Sequence, residues 1–329
     1  MLKEQIFSSA PFAECHASSV LALRDGGFLA VWFGGSKEGN DDVGIWGAVR
    51  RGTWSAPELL AKVSEEPHWN PVLFRDAAGR IVLFFKVGKT IADWRTFRLV
   101  SDDEAGRWAE PAELVPGDRT GGRGPVKNKP ILLADGAILA PGSVECGEWR
   151  SFTDRSTDGG RTWSRSALID MTPRGGRKPG AIQPALWESL PGRVHMLLRT
   201  DAGELYRCDS VDGGRSWCTA YPVGLPNNNS GIDLARLADG TLVLAANLSG
   251  ENWGPRNRLA LRFSGNGGAG WSEPYLLEDE AEGEFSYPAV IPLSGDGFAV
   301  TYTWKRRGIV FVRAALWEFS AVPAEAACR

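Results

Sequence analysis

The stretch "STDGGRTW", residues 156–163, carries the reading of the whole chain. Alone it marks a tight turn: the aspartate accepts from amides of its own turn, and the paired glycines supply positive φ. The turn recurs. "SVDGGRSW" spans 210–217, "SGNGGAGW" 264–271 and "SDDEAGRW" 101–108, and a worn copy, "VRRGTW", ends at Trp54. The closing tryptophans, Trp54, Trp108, Trp163, Trp217 and Trp271, lie 54, 55, 54 and 54 residues apart, a period that means an array or a propeller.

A second repeat keeps step with the first. "LRDGGFLAVW" (23–32), "FRDAAGRIVLFF" (74–85), "LADGAILA" (133–140), "LPGRVHMLL" (190–198), "LADGTLVLAA" (237–246) and "LSGDGFAVTY" (293–302) each join a glycine turn to an apolar strand. Each unit reads strand, tight turn, strand, long loop, strand, Asp-rich turn, strand. The fold class is therefore all-β, a six-bladed β-propeller of four-stranded blades, with residues 1–329 forming one domain. The sixth unit lacks the Asp-rich turn, and "EQIFSSA" (4–10) is expected to close its blade. In this geometry the Asp-rich turns are scaffold. Inner-strand starts and 2–3 loops share the opposite face, where function is expected.

A net charge of −3 and a pI near 5.8 offer no basic field for nucleic acid. No apolar run reaches the length of a membrane span, so no membrane partner is expected. The opening "MLKEQIFSSAPFAECHASS" has no apolar signal core, which predicts a cytoplasmic location. Cys208 and Cys218 flank a turn and could face each other across a hairpin, with reduced thiols expected. No residue cluster has zinc or phosphate-loop spacing, so neither metal nor other cofactor is expected. Nothing in the sequence fixes an oligomeric state.

Aligned by pattern, the inner-strand starts project His16 and Ser18, His68 and Asn70, then Lys127, Asn128 and Lys129. Gln183, then Asn228, Asn229 and Ser230, then Tyr287 complete the ring, and the 2–3 loops add Asp41, Asp42, Lys86, Arg199, Arg256 and Lys305. Amides bond sugar hydroxyls and guanidinium grips carboxylate in bidentate fashion. The ring therefore suits a hydroxyl-rich anionic ligand, a glycan or oligosaccharide, with Trp32, Trp69, Trp94 or Trp253 as a stacking surface.

The repeated turn resembles the Asp-box, S-x-D-x-G-x-x-W, of the sialidase (neuraminidase, BNR-repeat) superfamily, matched in full at 156–163 and 210–217. The resemblance covers the chain through blade count and period. It implies a glycosidase in which three arginines hold the substrate carboxylate, an aspartate is the acid, and a tyrosine paired with a glutamate is the nucleophile. By position it gives Arg199 and Arg256 as the second and third arginines, with Arg258 the alternative to Arg256. It gives Tyr287 as nucleophile, Asp41 or Asp42 as acid, and Asn70 as a substrate contact. Three places depart from that pattern: His16 stands for the first arginine, Gln183 for the glutamate, and Tyr302–Thr303 hold no carboxylate to brace the missing arginine. The leading expectation is a hydrolase removing a terminal acidic sugar. The alternatives are a uronate lyase, using His16 or His68 with Tyr287 and Arg199 or Lys129, and a non-catalytic glycan-binding propeller.

Overall fold

The computed structural model describes residues 1–319. It is nearly all strand, in six antiparallel sheets arranged as the blades of a propeller. The innermost strands are Glu14–Ala22, His68–Arg75, Ile131–Leu132, Ala181–Leu190, Asp233–Arg236 and Phe285–Pro292. The last blade takes its outer strand from the N-terminus. Leu2–Gln5 pairs antiparallel with Gly308–Ala315, and Glu4 Oε1 accepts from Arg50 Nε (2.7 Å) and Trp54 Nε1 (2.9 Å) of the first blade. This strand ends sooner than "EQIFSSA" suggests, because Phe7 and Phe12 turn inward onto Trp32. Trp32 is thereby buried in the core and offers no face to a sugar.

Apolar clusters lie between successive blades, and the box tryptophans belong to them. Trp163 meets Phe84 of the preceding blade edge-on, and Trp54 meets Phe311 across the ring closure. The sixth blade has no box. There Phe319 packs against Phe263 and Phe298 (centroids 4.9 and 5.6 Å), filling the place a tryptophan holds elsewhere. Full burial of such a side chain contributes roughly 1.5–3 kcal/mol.

The box chemistry is local. Asp158 Oδ1 accepts from the amides of Arg161 (3.0 Å) and Thr162 (2.9 Å), while Ser156 Oγ accepts from Gly160 N (2.9 Å). Asp212 and Ser210 repeat the pattern, and Asn266 does so in part. Cys208 and Cys218 face each other as free thiols with their Sγ atoms 3.8 Å apart. No helix among the described residues is long and apolar enough to cross a membrane.

One irregularity positions the site. Ala17, Asn70, Lys127, Gln183, Asn229 and Tyr287, one from each blade near the start of its inner strand, have φ between 45° and 64°. Left-handed backbone costs an L-residue roughly 1–2 kcal/mol. In four blades the residue sits in a break of register: His16/Ser19, Trp69/Val72, Ile182/Ala185 and Ser286/Ala289. Such bulges re-aim side chains at a sheet's rim. Here they re-aim three polar side chains, those of Asn70, Gln183 and Tyr287, at the rim of the central tunnel.

Candidate functional site

Much of the tunnel's polarity is structural. Lys127 Nζ reaches the carbonyls of Ile232 and Pro288, and Asn128 Nδ2 donates to those of Gln183 (2.9 Å) and Pro184 (3.1 Å). Lys129 Nζ pairs with Asp233 (2.8 Å), which also accepts from Val290 N (2.7 Å). These three residues of one blade tie it to the three that follow. Burial lowers the Lys127 ammonium to about 7, against the opposing pull of Asp233.

His68 and Lys86 are likewise engaged by protein. His68 Nε2 accepts from Val63 N (2.9 Å), and Nδ1 lies 2.8 Å from Glu66 O. Lys86 Nζ donates to Thr96 Oγ1 and Arg123 O, both at 2.8 Å. Burial depresses the His68 imidazolium to about 4. The unfolded chain then binds a proton that the native state refuses, so this contribution is complete above pH 6.5 and disappears as pH falls toward 4. Its size is roughly 3 kcal/mol at 1.36 kcal/mol per unit. Urea midpoints measured from pH 7 to 4 are expected to fall steeply in the wild type and less in His68→Gln; equal slopes would refute the assignment.

Above these struts lies a different arrangement. Arg199, 3% exposed, donates from Nε to Asn229 Oδ1 (2.9 Å) and from Nη1 to Gln183 Oε1 (2.9 Å) and Tyr287 Oη (2.8 Å). All of these acceptors are neutral, and Arg199 makes no ion pair among the described residues. The guanidinium carbons of Arg199 and Arg256 each lie 5.7 Å from the Tyr287 ring centroid. Arg256 Nη1 and Arg306 Nε share one carboxylate, Glu284, at 3.0 and 2.9 Å. Arg306 also reaches Glu38.

His16 completes the cluster. It is 2% exposed, its ring centroid is 4.1 Å from that of Tyr287, and its Nδ1 has no hydrogen-bond partner. Burial first, then the charges of Arg306, Arg256, Arg199 and Lys127, keep its imidazolium well below 6.5. The ring is thus a neutral base against the phenol. Because Tyr287 Oη accepts from Arg199, its own proton is free for another acceptor.

Gln183 leads to a carboxylate that the sequence did not announce. Its Nε2 donates to Glu145 Oε2 (3.3 Å), whose Oε1 accepts from Ser143 Oγ (2.7 Å). Burial raises the Glu145 carboxyl above its usual value despite the Ser143 bond and the nearby Arg199. Asn70, 5% exposed, stands on its left-handed residue at the same mouth.

On the rim, Asp42 is fixed by Ser36 N (2.8 Å) and Ser36 Oγ (2.9 Å). Asp41 has its side chain 59% exposed, with Lys89 3.7 Å away, and is the freer carboxylate. Arg258 pairs with Asp279 on the surface, away from the cluster. Lys305 turns out to Glu280 (2.6 Å), and its neighbour Arg306 turns in. Trp94 is buried beside Trp69, whereas Trp253 is 62% exposed with φ 59° and packs edge-on against Trp149. Arg306, Glu284, Glu145 and Trp149 were absent from the sequence reading. The signal for Arg306 was "WKRRG" (304–308), a 2–3 loop holding three adjacent cations.

The fold and its cationic mouth define a sialidase-like propeller. Residues 26–299 match the BNR repeat-like domain, and the chain belongs to that family. No curated protein matches the chain by sequence. Among solved structures it is similar to the Hadza microbial sialidase Hz136, with TM-score 0.76 and 16% identity over 93% of this chain and 66% of that one. It thus spans just under two thirds of that sialidase. A Dyadobacter fermentans protein of unknown function gives TM-score 0.76 and 16% identity over 94% and 97% of the two chains. The NanB sialidase of Streptococcus pneumoniae gives 0.73 and 12% over 97% and 71%. At these identities the likeness establishes the fold.

Proposed function

We propose that the protein is a glycoside hydrolase that removes a terminal carboxylated sugar from a glycan or oligosaccharide. The observation carrying this is Arg199: a guanidinium almost wholly removed from water with only neutral partners. A buried charge without a counter-ion is costly, and a ligand carboxylate would supply one. Arg256 also lies 5.7 Å from the Tyr287 ring, and Arg306 shares Glu284 with it, so a carboxylate above the phenol would meet three cations. Arg306 then takes the part left vacant where His16 replaces an arginine.

In this reading Tyr287 Oη attacks the anomeric carbon as the glycosidic C–O bond breaks, and Asp41 protonates the departing oxygen. The phenolic proton passes to neutral His16, which does the work of the glutamate that Gln183 replaces. Water then displaces the phenolate, giving a proton back to Asp41, while His16 returns its proton to Tyr287 Oη. Asn70, 5% exposed, would bond a ring hydroxyl, while Asn229, engaged by Arg199 and Asn252, would hold Arg199 in place. A leech intramolecular trans-sialidase of the same fold binds 2,7-anhydro-Neu5Ac, an acidic sugar of this kind.

One observation favours a second reading. A neutral, unpartnered imidazole beside a phenol and three guanidiniums also meets the needs of α-proton abstraction from a uronate, which requires no carboxylate nucleophile. The test is incubation with sialosides and uronic-acid-capped oligosaccharides, read by mass spectrometry. Products totalling one water more than the substrate establish the hydrolase. A pair summing to the substrate mass establishes the lyase, and saturable binding without product overturns both.

A further inference from the structure

At the opposite end of the fourth blade, cross-strand register assembles a second chemical group. Trp187 of the inner strand lies opposite His195, and His195 lies opposite Asp209 on the third strand. Directly opposed residues project to one face of the sheet. Between Glu188 and Leu190 the inner strand bulges, and Ser189 is the extra residue with no cross-strand partner.

The result is a continuous hydrogen-bonded chain. Ser189 Oγ is 2.7 Å from His195 Nε2, and His195 Nδ1 is 2.5 Å from Asp209 Oδ1. Asp209 is held in turn by Tyr221 Oη (2.7 Å) and Arg207 Nε (2.9 Å). Arg207 Nη2 also lies 3.0 Å from His195 Nδ1, and the shorter contact to Asp209 assigns the proton to Nδ1 and leaves Nε2 as the base. Trp187 stacks beneath the imidazole at 4.9 Å and 27°. The orientation is thus fixed from below by the indole and from behind by a carboxylate with its own supports. Burial acts to raise the Asp209 carboxyl, but the bonds from His195, Tyr221 and Arg207 outweigh it and hold it ionised. Both side chains are partly open to solvent, at 15% and 29% exposure, and Leu190, next to Ser189 in the chain, is exposed.

We infer that Ser189, His195 and Asp209 form a nucleophilic triad that cleaves small acyl esters, at a site separate from the tunnel mouth. The triad is recognised by geometry and role, not by chain order. Ser189 Oγ attacks the acyl carbon while His195 Nε2 takes its proton. The C–O bond to the alcohol breaks, and His195 returns the proton to the leaving oxygen. Water, deprotonated by the same imidazole, then attacks the acyl-serine, releasing the acid and restoring Ser189. The bulged amide of Ser189 is the donor for the oxyanion.

The test uses the full chain with a fluorophosphonate probe, which loses fluoride on capture by an activated serine. One adduct per chain at Ser189 is expected by peptide mass mapping. The adduct should be absent in Ser189→Ala and form about 100-fold more slowly in His195→Ala, the scale of a lost general base. If His195→Ala does not fold, the isosteric Asp209→Asn should slow labelling in the same direction. No adduct at Ser189 in the wild type, or labelling indifferent to His195 and Asp209, overturns the inference. Neither result bears on the glycosidase reading, whose residues lie at the other end of the blade.

Discussion

Tyr287→Phe is expected to lower turnover of an acidic glycoside by 10²- to 10⁴-fold, the range for loss of a group that moves a proton or forms a bond in the transition state. KM is expected to stay within a few-fold of wild type. The substitution leaves the ring in contact with His16 and leaves Arg256 and Arg306 on Glu284. Arg199 loses one of its three neutral acceptors and keeps Gln183 and Asn229. Steady-state kinetics on the best substrate of the mass-spectrometric panel separates the cases. Unchanged kcat would remove the phenol from the chemistry, and a large rise in KM at constant kcat would make Tyr287 a binding group alone. The pH profile adds a second reading. With His16 held neutral by burial and four surrounding cations, its protonation should not limit the rate until pH falls well below 6.5.

The fold was legible because its determinants are local. Ser156, Asp158 and Gly160 satisfy one another within a single turn, so the motif shows in a few letters and its period counts blades. The bulges were partly legible: in three blades the left-handed residue precedes proline, at Asn70, Gln183 and Tyr287. Partners across the tunnel were not legible. Lys127 and Lys129 find their acceptors more than a hundred residues away, and the sequence shows a cation without showing what it touches. The same applies at "WKRRG", where left-handed backbone at Lys305 and Arg306 decides which of three neighbouring cations faces inward.

The departures from the family pattern also fit together spatially. Where the resemblance implies arginine, His16 stands and Arg306 arrives from the last blade. Where it implies a glutamate beside the tyrosine, Gln183 stands and links to Glu145. Gln183 carries no exchangeable charge, so Glu145 is electrostatically present at the site but has no proton path to Tyr287 through the amide. The base nearest the phenol is then the imidazole.

Arg199→Met sets function against stability and separates a ligand-binding cation from a structural one. Removing two charge-assisted hydrogen bonds to a carboxylate, at about 1.5–3 kcal/mol each, should weaken binding of an acidic sugar by on the order of 100-fold or more. The unliganded protein should not lose stability in proportion. Arg199 has no ion pair to break, and a thioether of similar length fills its path without the cost of burying charge, which offsets the donors lost to buried Gln183 and Asn229 and the cation lost near Glu145. Lys129→Met is the contrast, because it strands Asp233 in the tunnel without its counter-ion, a loss of roughly 3–5 kcal/mol. Thermal unfolding and ligand titration of both variants decide the matter. The expected result is Arg199→Met with its melting temperature kept and its affinity gone, beside Lys129→Met with its melting temperature sharply reduced. If Arg199→Met melts as early as Lys129→Met, Arg199 is another strut across the tunnel, and the carboxylate reading loses the observation that carries it.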